Sequence, residues 1–149
     1  MNDSQQLAAT MARKAQLLEL LRRLGDAQLS LVNDGDMAKL LQVLASKESL
    51  LTQLQQVERQ LDPFRSEDPE RRRWESQAAR EACQRDANRC SQLLSEIVVL
   101  EKKSEAEMIT RRDATALQLQ GMYVSQEAQG AYITAPASLT TALDLSMEG

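Results

Sequence analysis

Leucine and valine residues recur at helical spacing between Asn33 and Leu61, with polar residues at most of the positions between them. Asp34 or Asp36 can cap a new helix there, and Gly35 permits a bend just before it. The apolar positions that follow are Met37, Leu40, Leu41, Val43, Leu44, Leu50, Leu51, Leu54, Val57 and Leu61. Their stripe is broader than a two-stranded seam needs, which predicts at least one long helical partner and allows two.

Two interruptions divide the helical pattern. Helical spacing begins near Ser4 and fades at residues 33–36, where the single glycine allows either a kink or a complete break, since it costs only about 1 kcal/mol inside a helix. The second interruption, 62–68, contains Pro63 and precedes Pro69, which predicts a reversal of the chain with Pro69 at the first position of a helix. From there to Met122 only Gly121 breaks the pattern.

These segments predict an all-α fold, a long antiparallel helical hairpin that is coiled-coil-like and has two or three helices. The hairpin domain covers 4–122, with a first arm at 4–61, a turn at 62–68 and a second arm at 69–122. If the arms fold back near Arg65, position 34 lies opposite position 96. The leucines of the first arm then face small residues of the second, namely Ala78, Ala79, Ala82, Cys83, Ala87 and Cys90.

Residues 123–149 form a C-terminal tail that is apolar and carries only acidic charges. A segment of this kind is poorly suited to remaining free in water, so it predicts a strip that docks on its own hairpin or folds on a partner, the alternative being a partly disordered terminus. We therefore predict a partner-binding region across the end of the long helix and the tail. Its candidate residues are Met108, Leu117, Leu119, Met122, Tyr123, Val124, Tyr132, Ile133, Leu139 and Leu143.

Charge and composition disfavour several classes of function. The net charge of -4 gives no general attraction to phosphate backbones, which disfavours nucleic-acid binding. No apolar run approaches the roughly 20 residues that span a bilayer, and the first ten residues lack the basic start of a signal peptide. The sequence therefore predicts a cytoplasmic protein without membrane insertion.

The sequence lacks the residues and motifs that usually carry out catalysis or bind metals. The chain has no histidine, Gly-rich phosphate loop or nucleophile motif, so we predict no enzymatic activity, metal or cofactor, and an unconventional enzyme is a remote alternative. Cys83 and Cys90 lie seven residues apart on one predicted helix, about 10 Å along its axis, which is too far for a disulfide. Both are predicted to be buried packing residues.

Three further features of the sequence are not explained by the leucine pattern: a tryptophan, an arginine run and a lysine. Trp74 lies near Val57 in the predicted pairing, and we interpret it as a packing residue beside the turn. The run Arg71–Arg73 predicts a solvated surface, with a docking patch for an acidic partner as the alternative. Lys47 lies among leucines, where packing alone would not place a lysine.

The leucine-rich first arm resembles the FlgN-type flagellar export chaperones. The pattern LxxGDxxxLLxxLxxKxxLLxxLxxxE describes this part of the chain, with one additional residue between Leu31 and Gly35. It covers Leu31, Asp34 to Asp36, Leu40, Leu41, Leu44, Lys47, Leu50, Leu51, Leu54 and Glu58. The second arm is similar too, because it ends in a segment with Gly121, Tyr123, Gly130 and Tyr132. The arginine-rich stretch 71–89 departs from the family pattern.

This resemblance implies a cytosolic chaperone without enzymatic activity. Such a protein would bind hook-associated junction proteins through its C-terminal half and deliver them to the flagellar type III export gate. In the family a tyrosine near the C-terminal end is associated with gate docking, and Tyr123 is the nearest candidate. A monomer or weak homodimer is implied. The alternative is a structural or scaffolding coiled-coil hairpin that mediates self-association or another protein contact.

Overall fold

The computed structural model describes residues 2–130, and within that range it contains helices and no strands. The helices are α1 (Asp3–Asp34), α2 (Met37–Arg65) and α3 (Gln77–Gly130), with a short 3-10 helix at Pro69–Arg71. The predicted all-α helical fold is confirmed, in its three-helix form. Contacts divide the chain into two units, Met1–Glu105 and Ala106–Gly149, and α3 contributes residues to both.

The chain breaks completely at Gly35, which decides between the kink and the break that the sequence left open. Gly35 has a positive φ of 74°, a left-handed conformation that closes the end of α1. Its N–H donates to the carbonyl of Leu31 at 2.9 Å, and the N–H of Asp36 donates to the same oxygen at 3.2 Å. Asp36 then caps α2, because its side chain accepts from the N–H of Lys39 at 3.2 Å.

Because of this break, α2 runs back along α1. Arg13 Nη2 on α1 donates to Gln53 Oε1 on α2 at 2.8 Å, whereas Lys47 Nζ on α2 donates to Gln28 Oε1 on α1 at 2.6 Å. Residue numbers thus rise along α1 as they fall along α2, so the two helices are antiparallel. The predicted first arm 4–61 is therefore two packed helices and not one arm.

The predicted pairing of position 34 with position 96 is wrong for the same reason. Arg89 Nη2 lies 2.8 Å from Glu19 Oε2, and Arg22 Nε lies 3.5 Å from Glu96 Oε2. Within the first unit α3 therefore runs parallel to α1, and position 96 lies opposite Arg22, about three helical turns before position 34. A two-arm hairpin reverses the chain direction once, and the left-handed conformation of Gly35 adds a second reversal.

Three predicted helix boundaries are also corrected. α2 continues through Pro63 to Arg65, and Pro69 begins the 3-10 helix instead of a long α-helix. The long helix starts only at Gln77, after Ser76, whose Oγ accepts from the N–H of Ala79 at 3.0 Å. It continues past residue 122 to Gly130, because one interior glycine costs too little to end a long helix.

Two apolar clusters form the core of the first unit. The first joins all three helices beside the connection 66–76, and Trp74 packs against it as predicted. The second lies further along α1 and α3, where α1 approaches so closely that a Cβ at Gly25 would lie 3.3 Å from Leu100 Cδ1. The clusters contain Leu7, Leu17, Val57, Leu61, Phe64 and Cys83, and then Leu18, Leu21, Cys90 and Leu93.

The two cysteines behave as the sequence predicts. Both are free and buried, and each occupies one of the two clusters. Burial raises the pKa of the Cys83 thiol and of the Cys90 thiol above the ordinary value, which favours the neutral, unreactive form. They serve as small packing residues where α3 meets the other helices.

Adjacent leucines on α3 provide a matched test of this core. Leu93 is fully buried, whereas Leu94 is 41% exposed. We expect Leu93→Ala to lower the free energy of unfolding by about 2 to 5 kcal/mol, because a cavity opens in the second cluster, and Leu94→Ala to lower it by less than about 1 kcal/mol. Urea denaturation followed by circular dichroism measures both. Equal losses would contradict the described orientation of α3.

Gly35 and Gly121 form a second pair. We expect Gly35→Ala to destabilise the protein by about 1 to 2 kcal/mol, since a Cβ is strained at a φ of 74°. A Cβ at Gly121 meets open space, so Gly121→Ala should cause no loss and should increase helix content. Urea denaturation and far-UV circular dichroism test the pair, and a stabilising Gly35→Ala substitution would argue against the break.

Candidate protein-binding site

The described residues of the predicted partner-binding region all lie on α3, in the unit that begins at Ala106. Leu117 and Val124 are 69% and 61% exposed, Met108 and Met122 are also exposed, and Leu119 and Tyr123 are half-buried. The remaining candidates lie outside the described residues; they are Tyr132, Ile133, Leu139 and Leu143.

These side chains form two stripes on opposite faces of the helix. At about 100° per residue, Met108, Leu119, Met122 and Tyr123 fall within roughly 100° of one another, and we call them the first stripe. Leu117 and Val124 lie about 160° to 180° from Met108, and we call them the second stripe. The prediction grouped both as one site, whereas the helix separates them. A partner that covers all six must contact two faces.

A further exposed apolar surface occurs in the first unit, on the leucine stripe for which the sequence predicted at least one long helical partner. Buried side chains occupy one side of α2, including Leu40, Val57 and Leu61. The other side leaves four of the predicted leucine and methionine positions in solvent; these are Met37, Leu41, Leu44 and Leu51. The width of the sequence pattern was the signal for this surface, because two partner helices cannot cover so broad a stripe completely.

The exposed stripe continues onto α3. Lys47 of α2 forms an ion pair with Glu101 of α3. These two residues therefore lie side by side, at the same level along the axes of the two antiparallel helices. Leu51 lies one turn after Lys47, and Val98 lies about one turn before Glu101, so both occur at the next level. Leu94 follows one turn further and is exposed like Val98. We call Met37, Leu41, Leu44, Leu51, Leu94 and Val98 the α2–α3 strip.

Lys47 itself lies in a polar layer inside the first unit. Its side chain is only 12% exposed, and Nζ contacts both Glu101 and Oε1 of the buried Gln28. Burial lowers the pKa of Lys47 from its ordinary value, because desolvation disfavours the charged ammonium. This layer explains why a lysine interrupts the leucines: its stem fills the interior while its charge reaches two oxygen acceptors.

The arginine run Arg71–Arg73 is partly structural. Arg72 Nη2 donates to the carbonyl of Phe64 at 2.6 Å and Nε lies 3.4 Å from Glu67 Oε2, which attaches the connection to the end of α2. Arg71 is exposed and pairs with Asp68 at 3.6 Å. The solvated-surface interpretation therefore fits Arg71, whereas Arg72 holds the connection in place.

Within residues 2–130 no cluster of three or more acidic, cysteine or histidine side chains could hold a metal ion. No helix in that range is both long and apolar enough to cross a membrane. Comparison with protein-family models, with curated proteins and with solved structures gave no match to this chain. The resemblance to FlgN-type chaperones therefore stays a prediction based on the leucine pattern of residues 31–58.

The buried position of Lys47 leads to a pH-dependent prediction. We expect Lys47→Met to lower the free energy of unfolding by about 1 to 3 kcal/mol at pH 7, because it leaves Oε1 of the buried Gln28 without its donor and Glu101 without its ion pair. Since the folded pKa of Lys47 is lowered below 10.5, the unfolded chain holds this proton to higher pH. Wild-type stability relative to the variant should then rise as pH approaches 10.5.

Urea denaturation of both proteins at pH 7 and near pH 10 measures this difference. Lys39→Met is the matched control, because the Lys39 side chain is 71% exposed and its loss should change stability by less than about 0.5 kcal/mol. An unchanged free energy of unfolding for Lys47→Met at pH 7 would show that Gln28 and Glu101 do not depend on the Lys47 ammonium.

Proposed function

We propose that this chain is a protein-binding export chaperone of the FlgN type. It binds hook-associated junction proteins as cargo through the helical region that begins near Met108, together with the tail, and delivers them to the flagellar type III export gate. The leucine pattern of the first arm suggests the family, and the surface of α3 suggests how binding occurs.

The observation that carries this proposal is the exposure of apolar side chains on both faces of residues 106–130. A helix that remains in water usually has one polar face, and large exposed apolar side chains are typical of interaction sites. Here Leu117 and Val124 expose more than half of their surface on one face, and Met122 does so on the other. Burial of such side chains against a partner helix stabilises a complex by roughly 25 cal/mol for each Å² removed from water.

The two stripes favour a particular binding mode. Amphipathic helices bind partners through residues spaced three, four or seven positions apart, as Leu117 and Val124 are on one face and Leu119 and Tyr123 are on the other. Cargo segments that pack on the second stripe would bury Leu117 and Val124 and leave Tyr123, on the opposite face, available for a second contact. Export chaperones benefit from this mode, because it keeps the apolar helices of an unassembled cargo out of water.

Tyr123 belongs to the first stripe and is half-buried. The family resemblance associates a tyrosine in this region with gate docking. A tyrosine suits such a role because it contributes a large apolar ring and a hydroxyl group that can donate or accept a hydrogen bond at an interface. On this proposal the second stripe contacts only the cargo. Tyr123, which lies on the first stripe, contributes to docking at the export gate.

The α2–α3 strip supports the alternative, a scaffolding hairpin that associates with a second copy of itself. Six exposed apolar residues along two adjacent helices resemble half of a helix–helix interface.

Light scattering of the purified chain distinguishes the alternatives: a chaperone should be a monomer or a weak dimer that forms a defined complex with cargo. A stable dimer that Leu44→Asp dissociates, without any cargo complex, would favour the scaffold.

Paired variants of α3 test the proposed function. We expect Leu117→Ser with Val124→Ser to weaken binding of a hook-associated junction protein from the same genome by about thirtyfold or more, since buried anchor residues contribute about 2 kcal/mol or more. The exposed polar pair Gln118→Ser with Gln126→Ser is the control and should leave affinity unchanged. Isothermal titration calorimetry measures the affinity.

Tyr123→Ala tests the narrower claim and should leave cargo affinity within about threefold while weakening binding to the gate component. The thermal midpoint of the helical bundle should be the same for every variant, because all the substituted residues lie in the second unit. If the wild-type chain binds no junction protein, or if the serine pair binds it with wild-type affinity, the proposal is wrong.

A further inference from the structure

A half-open cavity of about 380 Å³ lies in the first unit beside the connection 66–76. Its volume falls at the lower end of the roughly 300 to 1,000 Å³ typical of ligand pockets. Residues from α1, α2, the connection and α3 line it, so all of the elements that converge at this end of the bundle contribute. Its apolar lining includes Leu7, Met11, Leu61, Phe64, Trp74 and Cys83.

The charged residues around this cavity are mainly basic. Lys14, Arg65, Arg72 and Arg80 line it, against a single acidic residue, Glu67. This is the reverse of the whole chain, whose net charge is -4. An apolar interior with a basic rim is complementary to a ligand that combines an apolar group with a carboxylate.

The basic groups differ in how firmly they are held. Arg72 is fixed by the carbonyl of Phe64, and Lys14 Nζ lies 2.8 Å from Glu58 Oε1. Arg80 is bound more loosely: its side chain is almost half exposed, and Nη2 lies 3.6 Å from Glu70, which is itself largely exposed. A carboxylate from a partner can therefore take the place of Glu70 without disturbing the buried structure.

We propose that this cavity is a docking site for an acidic amphipathic helix of a partner protein, which inserts a large apolar side chain beside Trp74 and places a carboxylate next to Arg80. The lining supports this class of ligand, because tryptophan and arginine are the residue types most enriched among the dominant residues of protein interfaces. A polyphosphate needs several available cations and fits less well, because Lys14, Arg65 and Arg72 already pair with Glu58, Asp62 and Glu67, whereas the loosely paired Arg80 suits a single carboxylate. The site is separate from both stripes of α3 and does not depend on the proposed chaperone function.

The single tryptophan of the chain supplies a direct readout in the full-length protein. Two synthetic helical peptides of equal length serve as probes, with the same leucine and phenylalanine positions on one face and either glutamate or lysine on the other. We expect the glutamate peptide to change Trp74 emission in a saturable manner at micromolar concentrations. The lysine peptide should bind at least about tenfold more weakly, and added salt should reduce this difference.

Charge reversal at two arginines of α3 locates the site. Arg80→Glu should weaken binding of the glutamate peptide by about tenfold, because Arg80 lines the cavity. Arg85→Glu makes the same change in net charge at an exposed position outside the cavity lining and should leave binding within about twofold. Ala87→Leu places a larger side chain at the lining and should reduce binding by about tenfold, while circular dichroism shows an unchanged thermal midpoint.

Three results would overturn the proposal. The first is the absence of a saturable change in Trp74 emission with the glutamate peptide. The second is equal binding of the glutamate and lysine peptides, which would remove the role of the rim. The third is equal weakening by Arg80→Glu and Arg85→Glu, which would reduce the effect to net charge. None of these results bears on cargo binding by α3, which the serine variants test separately.

Discussion

The left-handed backbone at Gly35 is the constraint on which the rest of the first unit depends. Two N–H groups converge on the Leu31 carbonyl there, and the next residue caps α2, so one helix ends and another begins within three residues. α2 must consequently return along α1, and α3 packs against both. Without this reversal the broad leucine stripe of α2 would extend α1, and the first apolar cluster could not draw its buried residues from three helices.

The interior of the first unit changes from apolar to polar along the helices. Beside the connection, Phe64, Trp74 and their neighbours pack as an apolar cluster, whereas further along Lys47, Gln28 and Glu101 form a polar layer. The desolvation of the Lys47 ammonium opposes the attraction of its two acceptors, so replacing the whole layer by apolar residues would change stability little. Its contribution is to alignment, because one ion pair sets the level at which α2 and α3 meet, in the way that polar residues set register in coiled coils.

Apolar surface that the core does not cover gives the protein its proposed binding capacity. The two stripes of residues 106–130 and the α2–α3 strip of the first unit are exposed in the described part of the chain, and groups of exposed apolar residues are typical of interaction sites. The cavity beside Trp74 differs from both, because its lining combines apolar side chains with Lys14, Arg65, Arg72 and Arg80. The described part of the chain thus offers exposed surfaces of different chemistry.

Local rules in the sequence determined much of this protein: the all-α class, a helix start at Asp34 or Asp36, the packing role of Trp74 and the buried free cysteines. Each follows from residue spacing or side-chain type within about one or two helical turns. The tertiary structure decided the rest. A glycine permits both a kink and a reversal, and the choice rests on packing energy summed over distant residues, as in the contact of Gly25 with Leu100. For the same reason only the fold shows which half of the α2 stripe is buried and that the candidate residues of α3 lie on two faces.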